Sequence, residues 1–474
     1  MSTVQAEKTR QHWLATLTKY HSDPAKPSGG RIWSPRLDAC SRDELIAIQN
    51  AKLAAVTPFL YENSVFYRAR FDNLGLAPTD IRSVDDLTKW PPVDKSEMMQ
   101  DASSNPPFGT YSTMTDEVWA DRGWMMFSSS GSTGVPRVFR YSHIDRTYWA
   151  WANARACHAM GFRKGDTLFM MTGYGPHVFA WGVQYAMETM GLPTIPGGGM
   201  DARARVGVIN RFKPTILLCT PSYALHLARV MQEMGHDPAA SSVRLLLLGG
   251  EPVLSITPTW QRIEKLWGAR VVEFYGCTEA SPHVGGYSCD AERDPESPVA
   301  THLMEDIQIW ETVDAETRQV LPYGERGLTV CTNLVSESSP QLRFLVGDYT
   351  TLDPTPCSCG RTHVRAVGSF AGRADDLINL RGIKMFPVQI EDAVRAIPGS
   401  GDEFEIVLTS DAAGLDMMTI RCEHADHTGG IVKNRIEEEI RTRCEVRVTV
   451  EVLAPGTLPK TEFKAKRVRD GRAR

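Results

Sequence analysis

Short apolar runs alternate with helical patterns between residues 167 and 274, and this alternation constrains the fold more than any other feature. The runs that indicate buried strands are residues 167–172, 215–219, 243–248 and 270–274. Apolar residues at helical spacing fill most of the sequence between them. Such an alternation predicts a largely parallel sheet that is covered by helices on both faces. Ligands bind to such sheets beyond the carboxyl ends of the strands.

A serine- and glycine-rich loop occupies residues 127–137 and reads Phe-Ser-Ser-Ser-Gly-Ser-Thr-Gly-Val-Pro-Arg. Glycine lets the backbone approach an anion closely, hydroxyl groups donate hydrogen bonds, and Arg137 adds a fixed positive charge. The loop can therefore wrap phosphate oxygens. It is not a Walker loop, because no Gly-Lys-Ser or Gly-Lys-Thr closes it. Taken alone, its composition fits a plain surface loop equally well.

The composition indicates a globular protein of more than one domain, since 42% of the 474 residues are hydrophobic. The formal charge of -5 gives no global electrostatic case for a nucleic-acid partner or an anionic membrane. The first thirty residues lack the apolar core of a signal peptide, and no run is long enough to span a bilayer. Ten cysteines without regular spacing fit a reducing compartment. The expected location is the cytoplasm.

Together with four later segments, the loop resembles the phosphate loop of the AMP-forming adenylating superfamily, which includes acyl-coenzyme A synthetases, adenylation domains and luciferases. That family carries Ser-Gly-Thr-Thr-Gly-x-Pro-Lys. Arg137 stands where lysine is usual, which replaces a point charge by a planar fork. The resemblance implies that the ATP phosphates contact Ser129, Ser130, Gly131, Ser132, Thr133, Gly134 and Arg137.

Three more segments carry the resemblance to the nucleotide site. Gly-Gly-Glu-Pro at 249–252 and Tyr-Gly-Cys-Thr-Glu at 275–279 each follow a predicted strand, and Arg-Phe-Leu-Val-Gly-Asp ends at Asp348. The resemblance implies that Thr278 bonds phosphate, that Glu279 holds magnesium, which prefers carboxylate oxygen, and that Asp348 accepts the ribose hydroxyls. It also implies that Gly250, Glu251 and Pro252 line the adenine, and it assigns further nucleotide contacts to Tyr275, Gly276 and Arg373.

The carboxy-terminal hundred residues resemble the mobile lid of the same family. Gly-Arg-Ala-Asp-Asp at 372–376 matches its hinge motif, with Asp375 as the hinge. Leu-Pro-Lys-Thr-Glu-Phe-Lys at 458–464 resembles Leu-Pro-Arg-Thr-x-Gly-Lys, so Lys464 takes the role of the lysine that bridges the acid's carboxylate and the α-phosphate. Phe463 replaces a glycine there. Without the resemblance, Lys464 is one lysine in a basic, solvated tail.

Residues 87–98 and 213–227 resemble the phenylacetate-coenzyme A ligase branch, which favours an aryl or arylalkyl acid as substrate. Aromatic side chains near the predicted strand ends are candidate walls for its pocket, although aromatics between helices are more often plain core. The candidates are Tyr174, His177, Phe179, Trp181 and Tyr223.

Cys357 and Cys359 stand one residue apart before a glycine and can form half of a tetrahedral zinc site. Cys289 with His302 or His283 would complete it. Some members of the phenylacetate-ligase branch carry a structural metal at a comparable place. Reduced structural thiols are the alternative interpretation, and chemistry at this metal is not expected.

The fold expected is α/β: a large N-terminal domain, residues 1–373, of mixed, largely parallel sheets with flanking helices and a small β-barrel-like part, then a small α+β C-terminal lid, residues 374–474. The expected activity uses ATP and Mg²⁺ to convert a carboxylic acid to an acyl-adenylate, releasing pyrophosphate, and then transfers the acyl group to coenzyme A. Transfer to a carrier-protein pantetheine or an amine stays open, as do a non-catalytic nucleotide-binding role and a homodimer. No nucleic-acid or membrane partner is expected.

Overall fold

A computed structural model describes residues 3–21, 30–129, 137–279, 284–293, 299–381, 383–411, 415–428, 430–460 and 467–472. No described helix is long and apolar enough to cross a membrane. The α-helices of the described part are α1 (Thr3–Tyr20), α2 (Pro35–Asp38), α3 (Arg42–Asn63), α4 (Val65–Leu74), α5 (Lys95–Ser104), α6 (Asp116–Arg122), α7 (His143–Ala159), α8 (Val178–Met190), α9 (Ala202–Phe212), α10 (Pro221–Glu233), α11 (Thr257–Trp267), α12 (Pro387–Arg395) and α13 (Gly430–Cys444).

The described strands range from 2 residues in β8 to 11 residues in β16. They are β1 (Gly123–Ser128), β2 (Val138–Ser142), β3 (Leu168–Met170), β4 (Thr194–Pro196), β5 (Ile216–Cys219), β6 (Leu245–Gly249), β7 (Arg270–Tyr275), β8 (Gly286–Tyr287), β9 (Ala300–His302), β10 (Gln308–Val313), β11 (Arg326–Asn333), β12 (Phe344–Asp353), β13 (Arg365–Val367), β14 (Ile378–Leu380), β15 (Ile383–Met385), β16 (Ser400–Ser410), β17 (Asp416–His424), β18 (Thr449–Leu453) and β19 (Val468–Asp470).

The chain divides into two compact units, and neither is a single stretch of sequence. The first unit contains Met1–Thr167, Thr172–Thr194 and Phe274–Gly368, and the second contains Leu168–Met171, Ile195–Glu273 and Ser369–Arg474. The chain therefore returns to each unit more than once. The division into domains at residues 373 and 374 stays a prediction.

Parallel strands form the centre of the second unit, as the sequence predicted. β3 pairs with β5 and β5 with β6, both in parallel, and every residue of the three strands is buried. α10 follows β5 directly, because Thr220 caps its first turn by accepting a hydrogen bond from the Tyr223 amide. α9 was not predicted. Its first turn reads Ala-Arg-Ala-Arg, which gives no continuous apolar stripe.

The carboxy-terminal part of the second unit is an α+β layer, as predicted. Its four strands pair in the order β18-β17-β16-β19, and buried side chains of α12 and α13 complete one apolar cluster with them. The strand predicted at 445–452 begins only at Thr449, since the chain first passes through Glu445 with a φ of 57°. Residues 468–470, read from the sequence as part of a solvated tail, form β19 and pair in parallel with β16.

Antiparallel strands dominate the first unit after residue 299. The predicted hairpin is present, with β10 paired to β11 around residues 321–324. The expected barrel-like part consists of antiparallel strands, which pair in the open order β10-β11-β12-β13-β9-β8. At the other end of the sequence, α1 begins the stretch, up to about residue 120, that the sequence indicates is mainly helical. Trp13 stacks on Phe59 of α3 at 4.9 Å between ring centroids, which anchors this otherwise polar helix.

A buried carboxylate, Asp145, joins α7 to the segment before β12. It accepts hydrogen bonds from the Ser142 amide at the helix start and from the amides of Glu337 and Ser338, at 2.9, 2.7 and 3.2 Å. The Ser336 hydroxyl donates a further bond at 3.1 Å. One side chain thus fixes the exit of β2 and the entry to β12 relative to each other.

Asp145→Ala is expected to lower the free energy of unfolding by about 3 kcal/mol, because several buried donors lose their acceptor at once. Burial raises the pKa of Asp145 to about 6, so the folded protein holds this proton more tightly than the unfolded chain does. The stabilisation from protonation is therefore complete below about pH 4 and is lost as the pH rises through about 6. Chemical denaturation should show a larger gap between the two proteins at pH 5 than at pH 7.

The matched control is Asp121→Ala. Asp121 contacts Arg122 at 3.4 Å, and the two side chains are 78% and 30% exposed, so its loss should cost about 1 kcal/mol or less. Equal destabilisation by the two substitutions would contradict the role given to Asp145.

Candidate functional site

The two ends of the serine- and glycine-rich loop are held together by the hairpin of β1 and β2. Ser128 pairs with Val138 in that hairpin, the Ser129 amide donates to the Arg137 carbonyl at 2.9 Å, and the Arg137 amide donates to the Ser129 hydroxyl at 3.1 Å. The described ends of the loop, Ser129 and Arg137, therefore lie side by side. The predicted phosphate contacts Ser130, Gly131, Ser132, Thr133 and Gly134 lie outside the described residues.

Arg137 and Glu279 form an ion pair between an Arg137 Nη atom and a Glu279 carboxylate oxygen. Their side chains are only 6% and 13% exposed, so water screens the attraction poorly. The other terminal nitrogen of Arg137 is buried and has no hydrogen-bond partner among the described residues. The residues predicted to contact phosphate and magnesium therefore contact each other.

The turn after β7, which carries Thr278 and Glu279, is fixed by a tyrosine that sequence reasoning missed. The Tyr141 hydroxyl on β2 donates to the Thr278 carbonyl at 2.6 Å. Burial raises the pKa of Tyr141 well above its usual range, so this hydroxyl stays protonated and remains a donor. Nothing in the local pattern of β2 marks Tyr141, because its partner lies more than a hundred residues away.

Tyr275 and Asp348 are also brought together within the first unit. The Tyr275 hydroxyl donates a hydrogen bond to the Asp348 carboxylate, which is itself largely buried. Asp348 lies on β12 and Tyr275 at the end of β7. The tyrosine thus orients a carboxylate that retains lone pairs for further donors.

The predicted adenine contacts Gly250, Glu251 and Pro252 lie in the second unit, after β6. Glu251 accepts hydrogen bonds from the amide and hydroxyl of Ser222 at 3.1 and 2.8 Å. It therefore stabilises the first turn of α10, where a negative charge is favoured. Gly250 has a φ of 83°, a conformation that strains other residues. A contact with adenine stays a prediction.

Three of the predicted pocket aromatics are held in place by contacts within the first unit. Tyr174 and Trp181 meet edge to face at 5.0 Å, and the Trp181 ring nitrogen donates to the Gly175 carbonyl at 3.0 Å. The ring centroids of Phe179 and Phe274 are 5.6 Å apart. These residues and the exposed His177 occupy the segment that enters α8.

Tyr223 is predicted from the sequence as another pocket wall and belongs to the second unit. The Arg205 guanidinium lies 4.7 Å from its ring centroid and also donates to the Met171 carbonyl at 2.7 Å. This cation–π contact fixes the ring on the end of β3. A role in the pocket stays a prediction for all five aromatic residues.

The predicted hinge residues Arg373 and Asp375 are exposed and lie at a short 3₁₀ turn of the second unit. Gly372 just before them has a φ of 106°, and a Cβ there would lie 2.6 Å from the Phe386 ring. Only glycine fits this position without a shift. Lys464 lies outside the described residues.

Three cysteines and a histidine of the first unit form the one group in the described part of the chain whose side chains are placed to hold a metal ion. Their ligand atoms all lie within 4.8 Å of one another; the Cys359 sulfur is 3.4 Å from His302 Nε2, and the Cys289 sulfur is 3.9 Å from that of Cys357. His302 on β9 pairs with Tyr287 on β8 and with Arg365 on β13. This pairing aligns the three strands that position the four side chains. His283, the alternative ligand, lies outside the described residues. A Cys₃His set fits tetrahedral zinc.

Known proteins match almost the whole chain. A family model described as AMP-binding enzyme matches residues 73–332, and another, described as AMP-binding enzyme C-terminal domain, matches residues 382–472. Phenylacetate-coenzyme A ligase from Thermus thermophilus is 32% identical over 459 residues, which cover 93% of this chain and 99% of that ligase.

Solved structures of 2-hydroxyisobutyryl-CoA ligase are similar in fold. Its postadenylation state, in complex with 2-HIB-AMP, has a TM-score of 0.87 at 29% identity and covers 97% of this chain and 96% of that one. Its thioesterification state, in complex with 2-HIB-AMP and CoA, has a TM-score of 0.71 at 29% identity, covering 96% and 95%.

We expect the purified protein to contain about one zinc ion per chain, because a Cys₃His site retains its metal tightly at neutral pH. Metal analysis by mass spectrometry should show this ion lost in Cys357→Ser and retained in Cys277→Ser, a half-buried cysteine outside the group. A zinc-free protein with four unmodified side chains would favour the alternative of reduced structural thiols.

Proposed function

Since the chain belongs to the AMP-binding enzyme family, we propose that it activates an aryl or arylalkyl carboxylic acid as its coenzyme A thioester. The chain is an AMP-forming ligase: it joins the acid's carboxylate to the α-phosphate of ATP, releases pyrophosphate, and passes the acyl group to the thiol of coenzyme A. The observation that carries the choice of acid is the nearly full-length similarity to a phenylacetate-coenzyme A ligase.

The first step brings two anions together, so the site must position them and reduce their repulsion. We assign phosphate contacts to Ser129 and Arg137 at the base of the loop. Asp348, oriented by Tyr275, would accept the ribose hydroxyls. These assignments are supported by the ion pair at Arg137 and by the hydrogen bond between Tyr275 and Asp348.

Glu279 and Thr278 offer carboxylate and hydroxyl oxygens, which suit Mg²⁺, and Tyr141 fixes the turn that carries them. When bound, magnesium would screen the phosphate charges. Lys464 is proposed to contact both anions as they react, on the strength of its motif.

The acid pocket is proposed to include Tyr174, Phe179 and Trp181. Aromatic side chains supply large apolar surfaces at defined ring angles, which suits an aryl group. A small branched hydroxy acid is the second candidate, favoured by the structural similarity to 2-hydroxyisobutyryl-CoA ligase.

Incubation with Mg²⁺, ATP and a panel of acids should release AMP and pyrophosphate. The kcat/KM for phenylacetate is expected to exceed that for 2-hydroxyisobutyrate by about tenfold or more. Each additional apolar group that fills an apolar pocket improves binding by about 1–3 kcal/mol. The reverse order of the two acids would select the second candidate. Release of ADP, or no nucleotide release with any acid, would overturn the proposed function.

We propose further that residues 374–474 form a lid that turns about Asp375 between the two steps. The solved structures of 2-hydroxyisobutyryl-CoA ligase in its two reaction states differ in shape. Both match almost all of this chain, but their TM-scores to it are 0.87 and 0.71. Asp375→Pro, which fixes φ at the hinge, should spare acid-dependent pyrophosphate exchange and reduce thioester formation by about tenfold or more. Asp376→Pro, at the next residue, tests whether the effect is specific to residue 375. Equal loss of both half-reactions in Asp375→Pro would contradict the proposal.

The alternative acceptors stay predictions. A carrier-protein pantetheine or an amine would take the place of coenzyme A, and adding each acceptor separately after adenylate formation distinguishes the three. A homodimer and a cytoplasmic location are also carried forward from the sequence.

A further inference from the structure

We infer that Arg137 is an exchangeable counter-ion of Glu279: it neutralises this carboxylate when no nucleotide is bound and transfers to the phosphates when magnesium and ATP bind together. The inference rests on the proposed function, because it concerns the same site. What it adds to that function is that the binding of Mg²⁺ and the binding of ATP are coupled through the Arg137–Glu279 ion pair.

The backbone of Arg137 is fixed, so only its side chain can exchange partners. Its amide and carbonyl are both hydrogen-bonded to Ser129, and β2 begins at the next residue. Glu279 is held in the same way through its neighbour, since the Thr278 carbonyl accepts from Tyr141. Two fixed backbones therefore carry side chains that meet at one contact.

The pair is buried enough that neither charge can be left alone without cost. Both side chains are at least 87% buried, and an uncompensated charge in such a place is strongly unfavourable. If metal-free ATP drew Arg137 away, the Glu279 carboxylate would face the phosphates with no cation between them. Metal-free ATP should therefore bind weakly.

A divalent cation removes this conflict. Mg²⁺ prefers carboxylate and phosphate oxygens, so it can replace the guanidinium at Glu279 while Arg137 moves to a phosphate. Because each partner makes room for the other, the affinities for metal and nucleotide must rise together and by the same factor.

Arginine is suited to this exchange by its shape. One terminal nitrogen of Arg137 contacts Glu279, while the other is buried and has no hydrogen-bond partner among the described residues. A planar fork can begin to bind a phosphate before its first bond breaks, whereas the ammonium of the lysine usual at this position is a single point of charge.

The test is ATP affinity with and without metal, measured by calorimetry on the full chain. In the unmodified protein, Mg²⁺ should tighten ATP binding by about tenfold or more over binding in EDTA. In Glu279→Gln, which keeps the shape and removes the charge, metal-free ATP should bind about tenfold more tightly than it does to the unmodified protein. Added Mg²⁺ should then change little. A substitution that merely damaged the site would weaken metal-free binding.

Glu62→Gln is the matched control, since Glu62 pairs with Arg68 at 2.8 Å outside this site and its loss should leave both affinities unchanged. Arg137→Lys should still bind magnesium–ATP. In this variant, the affinities for ATP measured with Mg²⁺ and in EDTA should differ less than they do in the unmodified protein. Unchanged or weaker metal-free binding in Glu279→Gln, where the unmodified protein performs pyrophosphate exchange, would overturn the inference alone. An unmodified protein that binds no ATP would overturn the proposed function and the inference together.

Discussion

A single buried carboxylate organises the part of the first unit that carries the candidate site. Asp145 bonds the start of α7 on one side and the amides of Glu337 and Ser338 on the other. β2, which carries Tyr141, ends where α7 begins, and the segment at 336–338 leads into β12, which carries Asp348. The geometry of Tyr141 with Thr278, and of Asp348 with Tyr275, therefore depends on a residue that belongs to neither pair.

Local sequence predicted the elements whose side chains carry their own pattern. β5 and β6 are continuous apolar runs, and α7 and α13 begin at the predicted residues. What it missed depends on distant partners. The bounds of α1 were missed because the helix has few apolar residues and is anchored by Trp13 against Phe59, while β19 lies in a basic run and is a strand only because β16 pairs with it.

The same distinction holds within the site. Arg137, Glu279, Tyr275 and Asp348 were found by their motifs, but Tyr141 and the contacts between these residues were not, because those contacts span many residues of sequence. The cysteine group was predicted from two neighbouring thiols, and antiparallel pairing of β8, β9 and β13 is what gathers its four members. Arg137, which stands where lysine is usual in the family, also forms a buried pair with Glu279.

β19 has a mechanical consequence for the end of the chain. Leu458 is attached to β17 through a hydrogen bond from its amide to Glu423 at 2.7 Å, and the chain rejoins the sheet at Val468 beside β16. Leu458 and Val468 are thus two anchors on one four-stranded platform. Any large movement of that platform must carry both anchors with it, so neither can travel alone.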